Sequence, residues 1–179
     1  ATALGLDGHG VVVFARNQTQ LNDLRTELTR ESVNLEIVAM DLTDRSAIRA
    51  FFESQSEPFD SMIVTAGIAR HRELPDILDQ DVDDTIEMNV VVPILCTRAF
   101  SRLAMLHQRK GSIVLFSSQL AHVGAAARSV YSASKAAIEG FTRGAVADLS
   151  RHHIRINTSC PTFTETEMTR EALSDQIFR

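Results

Sequence analysis

Tyr131 is the only tyrosine in the chain, and Lys135 stands four residues after it. On a helix that spacing puts both side chains on one face. An ammonium beside a phenol favours the phenolate, so the tyrosine can give a proton to a forming alkoxide and retrieve it in the reverse direction. Ser118 lies thirteen residues before Tyr131 and follows the apolar run 112–117. A hydroxyl there can meet a bound carbonyl oxygen, although Ser117 is equally eligible on local grounds. The chemistry these groups suit is proton transfer at an oxygen whose carbon gains or loses a hydride. Singly they are commonplace: a Tyr–Lys pair is usually a solvated helix face, and a serine after a strand is usually a turn former.

Asn89 joins them for a different reason. Pro93 follows four residues later, and a proline has no N–H to give the carbonyl of Asn89. A kinked helix with a freed carbonyl could hold a water that relays protons. The plainer alternative is that Pro93 marks the helix end and Asn89 is a surface residue.

These groups need a scaffold, and the hydrophobic pattern supplies one. Short apolar runs at 11–15, 36–40, 61–66, 112–117 and 154–160 read as strands, several apolar at consecutive positions and so expected to be covered on both faces. Between them lie helical patterns. Leu21, Leu24 and Leu28 share a face of one that Asn17 can cap, with Gln20 completing a capping box. Another carries Ile48, Phe51 and Phe52 after a start signal at Thr43. Longer ones run over 82–108 and 131–151. Strands alternating with helices imply a doubly wound, mostly parallel α/β sheet with ligands at the carboxyl ends of its strands. Residues 1–6 read as the tail of a helix ending near Gly8 and Gly10. No strand and glycine-rich phosphate turn precede them, and no G-x-G-x-x-G occurs in the chain. The expectation is a Rossmann-like fold, incomplete at both ends, with 1–179 forming a single partial dinucleotide-binding domain.

Taken together, the motifs resemble the short-chain dehydrogenase/reductase family. Tyr131-Ser-Ala-Ser-Lys135, preceded by Gly111-Ser-Ile-Val-Leu-Phe-Ser-Ser118, looks like that family's active-site segment, and its spacing favours Ser118 over Ser117. Asp41-Leu-Thr43, Thr65-Ala-Gly67, Asn89 and Ile154-Arg-Ile-Asn157 before Pro161 fall in the family's order. The resemblance spans essentially the whole chain and is nearest in character to carbonyl and 3-oxoacyl-(acyl carrier protein) reductases. It implies that Tyr131 is the acid in reduction and the base in oxidation. Lys135 would also bond the nicotinamide ribose, Ser118 would hold the substrate carbonyl, and Asn89 would position a relay water. Asp41 and Leu42 would flank the adenine. Thr65, Ala66 and Gly67 would let the cofactor approach the backbone, and Thr166, in one segment with Thr164, would meet the carboxamide.

The sequence Ala15-Arg16-Asn17 after the run 11–15 bears on the cofactor. A carboxylate there would bond a ribose 2′-hydroxyl, whereas Arg16 suits a 2′-phosphate, so NADP(H) is favoured over NAD(H). The chain departs from the family where Val64 and Thr65 replace two asparagines, and where Thr162 replaces a glycine after Pro161. A β-branched residue tolerates positive φ poorly, so that turn should take another shape.

A net charge of −5 with scattered Lys and Arg gives no footprint for nucleic acid. No apolar run is long enough to span a bilayer, and the first residues do not read as a signal peptide. Cys96 and Cys160 sit in apolar patterns and are expected to be buried thiols, in keeping with a cytoplasmic setting. No group of His, Cys, Asp and Glu has metal-ligand spacing, so no metal site is expected. The expected substrate is a small carbonyl or alcohol. Arg109, Lys110 and Arg151 could attract an acidic acyl carrier protein, or else complement helix dipoles. Small residues Ala137, Gly140, Gly144 and Ala145 would admit a neighbouring helix closely; the resemblance implies a homodimer or homotetramer contact there, and the alternative is internal packing against the sheet. The competing class is a catalytically silent relative that senses a cofactor or serves as an interaction module.

Overall fold

Asn17 starts a helix where its spacing predicts. In the computed structural model, which describes residues 2–31 and 33–162, its Oδ1 accepts from the backbone N–H groups of Thr19 (2.9 Å) and Gln20 (3.1 Å). Two donors that a first helical turn leaves open are thereby satisfied. The helix that follows, α2 (Gln18–Arg30), buries Leu21 and Leu28 and packs on two parallel strands, β1 (Val11–Ala15) and β2 (Leu35–Ala39). A short helix α1 (Thr2–Leu6) precedes them and ends at Gly8, whose φ of +85° only glycine adopts readily. These elements form one compact unit, residues 1–48. Helix α3 (Arg45–Glu53) is started by Asp44, not Thr43: the Asp44 carboxylate accepts from the N–H groups of Ser46 and Ala47.

The second unit, residues 49–179, holds a three-stranded parallel sheet of order β3-β4-β5. Its strands are β3 (Ser61–Val64), β4 (Gly111–Phe116) and β5 (Ile154–Ser159). The expected strands are thus all present, arranged as two parallel sheets. Burial on both faces holds less well. Ile113 and Leu115 of the central β4 are fully buried, but Ile63 of β3 is 46% exposed, and Arg155 and Asn157 of β5 face solvent. Only the strand with a neighbour on each side is well covered.

Helices α4 (Asp79–Ile86) and α5 (Val92–Leu106) are joined without a break by a π turn, Glu87–Val91. Pro93 therefore does not end the helix. The chain absorbs the missing N–H by a wider turn in which Val92 N–H reaches back five residues to the carbonyl of Glu87. The continuous stretch, Asp79–Leu106, has 28 residues and a mean hydropathy of 1.3 over its most apolar window, with half of that window buried. By length and composition it could cross a bilayer, which the sequence reading did not anticipate. Its contacts are those of a core helix: α5 packs on β3 and β4 and buries Val92, Cys96, Phe100 and Leu103. The last helix, α6 (Ser129–Leu149), covers β4 and β5. Of the two cysteines Cys96 is buried as expected, but Cys160, one residue past β5, is exposed.

Candidate active site

Tyr131 and Lys135 lie in the first two turns of α6, and Ser118 lies just beyond the carboxyl end of β4. Lys135 is 5% exposed. Its Nζ donates to the carbonyl of Phe116 at 2.8 Å and sits 5.7 Å from the centroid of the Tyr131 ring. Burial of the ammonium lowers its pKa from 10.5 to about 8. An ammonium has three donors, and the bond to Phe116 uses one.

The structure separates the two serines. Ser117 Oγ donates toward the Glu139 carboxylate (2.9 Å) and the carbonyl of Lys135 (3.1 Å), committing its proton inside the core. Ser118 does the reverse. Its Oγ accepts from Leu120 N–H at 3.2 Å, capping a 3-10 turn at Gln119–Ala121. An accepting hydroxyl keeps its proton to give to a carbonyl.

Asn89 is fully buried within the π turn. Its Oδ1 accepts from Ile68 N–H (2.8 Å), and its Nδ2 donates to Ile68 C=O (2.9 Å) and to Ser134 Oγ (3.0 Å). The amide therefore clamps the segment after β3 to α6. Ser134, which escaped the sequence reading, donates in turn to the carbonyl of Tyr131 at 2.7 Å. Its only signal was its place one residue before the lysine. Replacing Asn89 by Leu leaves both backbone groups of Ile68 without this partner. The expected result is a loss of about 2 kcal/mol in urea unfolding; an unchanged midpoint would contradict the clamp.

Gly67 closes the arrangement. A Cβ on it would stand 3.2 Å from Asn89 Oδ1 and 3.4 Å from Lys135 Nζ. The backbone of residue 67 thus lies directly against the amide and the ammonium, with no room to spare. Ala66 and Gly67 are half-buried and Thr65 is exposed.

In the first unit Arg16 is exposed past the carboxyl end of β1. The Asp41 carboxyl is held below its ordinary range by hydrogen bonds from Thr43 N–H and Oγ, and further by the charge of Arg16. Leu42 is half-buried. The Oδ1 of Asn17 is occupied as a helix cap. Thr164 and Thr166 lie outside the described residues.

Arg109, Lys110 and Arg151, the residues expected to attract a carrier protein, lie at the opposite ends of their strands from Ser118. Arg109 and Lys110 precede β4, and Arg151 precedes β5, so all three flank the amino ends of parallel strands whose carboxyl ends carry Ser118. Arg109 is moreover paired with Asp60 at 3.4 Å. His122, Glu139 and Cys160, far apart in sequence, bring their ligand atoms within 4.8 Å of one another.

Known proteins resemble this chain along nearly its whole length. The family model described as short chain dehydrogenase matches residues 1–177. The L-xylulose reductase of Caenorhabditis elegans is 33% identical over 97% of the chain and 69% of its own length. A 3-oxoacyl-(acyl-carrier-protein) reductase of Staphylococcus aureus is 29% identical over 99% of the chain and 73% of its own length. Among solved structures, an actinorhodin polyketide ketoreductase with NADPH superposes with a TM-score of 0.90 at 29% identity, covering 98% of this chain and 70% of that one.

Proposed function

Since the chain belongs to the short-chain dehydrogenase family, an NAD(P)-dependent class of carbonyl and alcohol oxidoreductases, we propose that it interconverts a small carbonyl compound and its secondary alcohol with NADP(H), using Tyr131 as the proton donor and acceptor. The bound nicotinamide would supply or accept the hydride. Lys135 carries the reading: an ammonium buried to 5% exposure, held by Phe116 and set 5.7 Å from the ring of the chain's one tyrosine. Burying a cation is costly without a purpose, and here it stabilises the phenolate left when Tyr131 yields its proton. Its remaining donors suit ribose hydroxyls. Ser118 gives its proton as a hydrogen bond to the substrate oxygen and orients it toward Tyr131. The Asn89 carbonyl, which Pro93 cannot serve, holds a water that returns protons to Lys135.

Arg16 supports NADP(H), and Asp41 and Leu42 suit the adenine. Arg16→Asp should raise KM for NADPH at least about tenfold and lower KM for NADH, since a carboxylate repels a 2′-phosphate and accepts from a 2′-hydroxyl. Equal KM ratios in parent and variant would remove this assignment. A carrier-bound substrate rests on the resemblance to a carrier-protein reductase, given where Arg109, Lys110 and Arg151 lie. A homo-oligomer through α6 fits Ala137, Gly140 and Gly144, which are exposed. The deciding assay follows NADPH absorbance with a panel of free and carrier-linked ketones; no carbonyl-dependent oxidation by the full protein would sink the proposal.

A further inference from the structure

One helical turn beyond Lys135, three segments converge on one carboxylate oxygen. His122 follows the 3-10 turn after β4, Glu139 lies midway along α6, and Cys160 follows β5. Glu139 Oε1 is 2.9 Å from His122 Nε2 and 3.1 Å from Cys160 Sγ. Ser117 Oγ donates to the same oxygen at 2.9 Å. Arg143 approaches the other oxygen, Oε2, at 4.0 Å. The carboxylate is buried, with a side chain 10% exposed, whereas the His122 side chain is 61% exposed, and Cys160 is exposed as well. A cation could therefore enter from solvent and meet a nitrogen, an oxygen and a sulfur at once.

We propose that His122, Glu139 and Cys160 hold one divalent cation of the zinc class, with a fourth position open to water. Imidazole, carboxylate and thiolate are the donors zinc takes, and three protein ligands with one open position is an established zinc coordination. Bonds of about 2.0–2.3 Å at tetrahedral angles set ligand atoms roughly 3.5 Å apart, so the two pairs at Glu139, 2.9 and 3.1 Å, open by roughly half an ångström, while His122 and Cys160, no more than 4.8 Å apart, settle to the same spacing. Binding breaks the Cys160 S–H bond, forms a metal–sulfur bond and releases the proton to solvent, with no change of oxidation state. Because binding displaces that proton, affinity should tighten as pH rises. A bound ion would fasten the end of β5 to α6 and to the turn that Ser118 caps.

The test uses chelator-stripped full-length chain titrated with Zn²⁺ against a chromophoric chelator, and with Co²⁺ followed by absorbance. One ion per chain and a sulfur-to-cobalt charge-transfer band are expected. Cys160→Ser should abolish the band and weaken Zn²⁺ binding at least about tenfold; His122→Asn should weaken it comparably and keep the band. His152→Asn should leave both unchanged. Because Glu139 also anchors Ser117, its replacement endangers the fold, so the test relies on the two exposed ligands, with thermal unfolding of the metal-free variants matching the parent. No band in the parent, or undiminished Zn²⁺ binding by a folded Cys160→Ser, overturns the proposal and leaves a hydrogen-bonded network around a buried carboxylate.

Discussion

Tyr131→Phe should lower kcat for carbonyl reduction about a thousandfold while changing the affinity for NADPH by no more than about twofold. The substitution removes one oxygen and keeps the ring, so the contact with the Lys135 ammonium at 5.7 Å from the ring centroid survives. Packing and the environment of Gly67 are left alone. What disappears is the proton donor, and a positioned general acid contributes about 10²–10⁴ in rate. The loss should appear in kcat and kcat/KM together, the mark of an interaction made in the transition state. Single-turnover measurements with NADPH in excess separate chemistry from release. A variant retaining more than a tenth of the parent rate would mean that another group protonates the product.

Lys135→Met should reduce turnover by a hundredfold or more and yet stabilise the protein. The ammonium's pKa is lowered from 10.5 to about 8 by burial, a difference worth about 3 kcal/mol against the charged folded form. Between those two values the unfolded chain binds more protons than the folded one, so stability rises as pH climbs from about 8 to about 10.5, and the cost is fully present below pH 8. Methionine removes that cost but forfeits the charge-assisted bond to Phe116, worth about 1.5–3 kcal/mol. The net expectation is a gain of up to about 1.5 kcal/mol in urea unfolding at pH 7, with the parent's rise above pH 8 flattened in the variant. Destabilisation at pH 7 would contradict the account of the buried charge. In the parent, carbonyl reduction should fall as pH passes through about 8, where the ammonium is lost.

Much of this arrangement was legible in the residue pattern. The Tyr131–Lys135 spacing and the Asn17 cap are local, set by helix geometry within a turn or two, and the structure has both. Strand positions followed from apolar runs, with ends shifted by one or two residues. What escaped was long-range. Nothing near Asn89 in sequence names Ile68 or Ser134 as partners, because those contacts exist only once β3, the π turn and α6 are assembled. The same holds for His122, Glu139 and Cys160, which no ligand spacing could have joined. Cys160 was misjudged because the apolar pattern it was read into is that of Ile154 and Ile156 within β5, whereas the residue itself lies beyond the strand's polar end. Ser117 and Ser118 are chemically identical in sequence, and the alternation of a strand decides which one turns inward to Glu139.

The π turn has a mechanical consequence of its own. A helix advances about 100° per residue, and a five-residue closure inserts a surplus residue into that screw. The stretch Asp79–Leu106 therefore runs in two angular phases. One aims Asn89 at Ile68 and Ser134; the other lays Phe100 against Gly111, where even a Cβ would meet its ring at 2.8 Å. The wider turn has already taken up that residue; one more inserted between Asn89 and Phe100 would swing one half by about 100°, so that either the amide leaves its partners or the ring leaves the sheet. Chain length between Asn89 and Phe100 is in effect a gauge block: side chains there can be exchanged, but the count cannot.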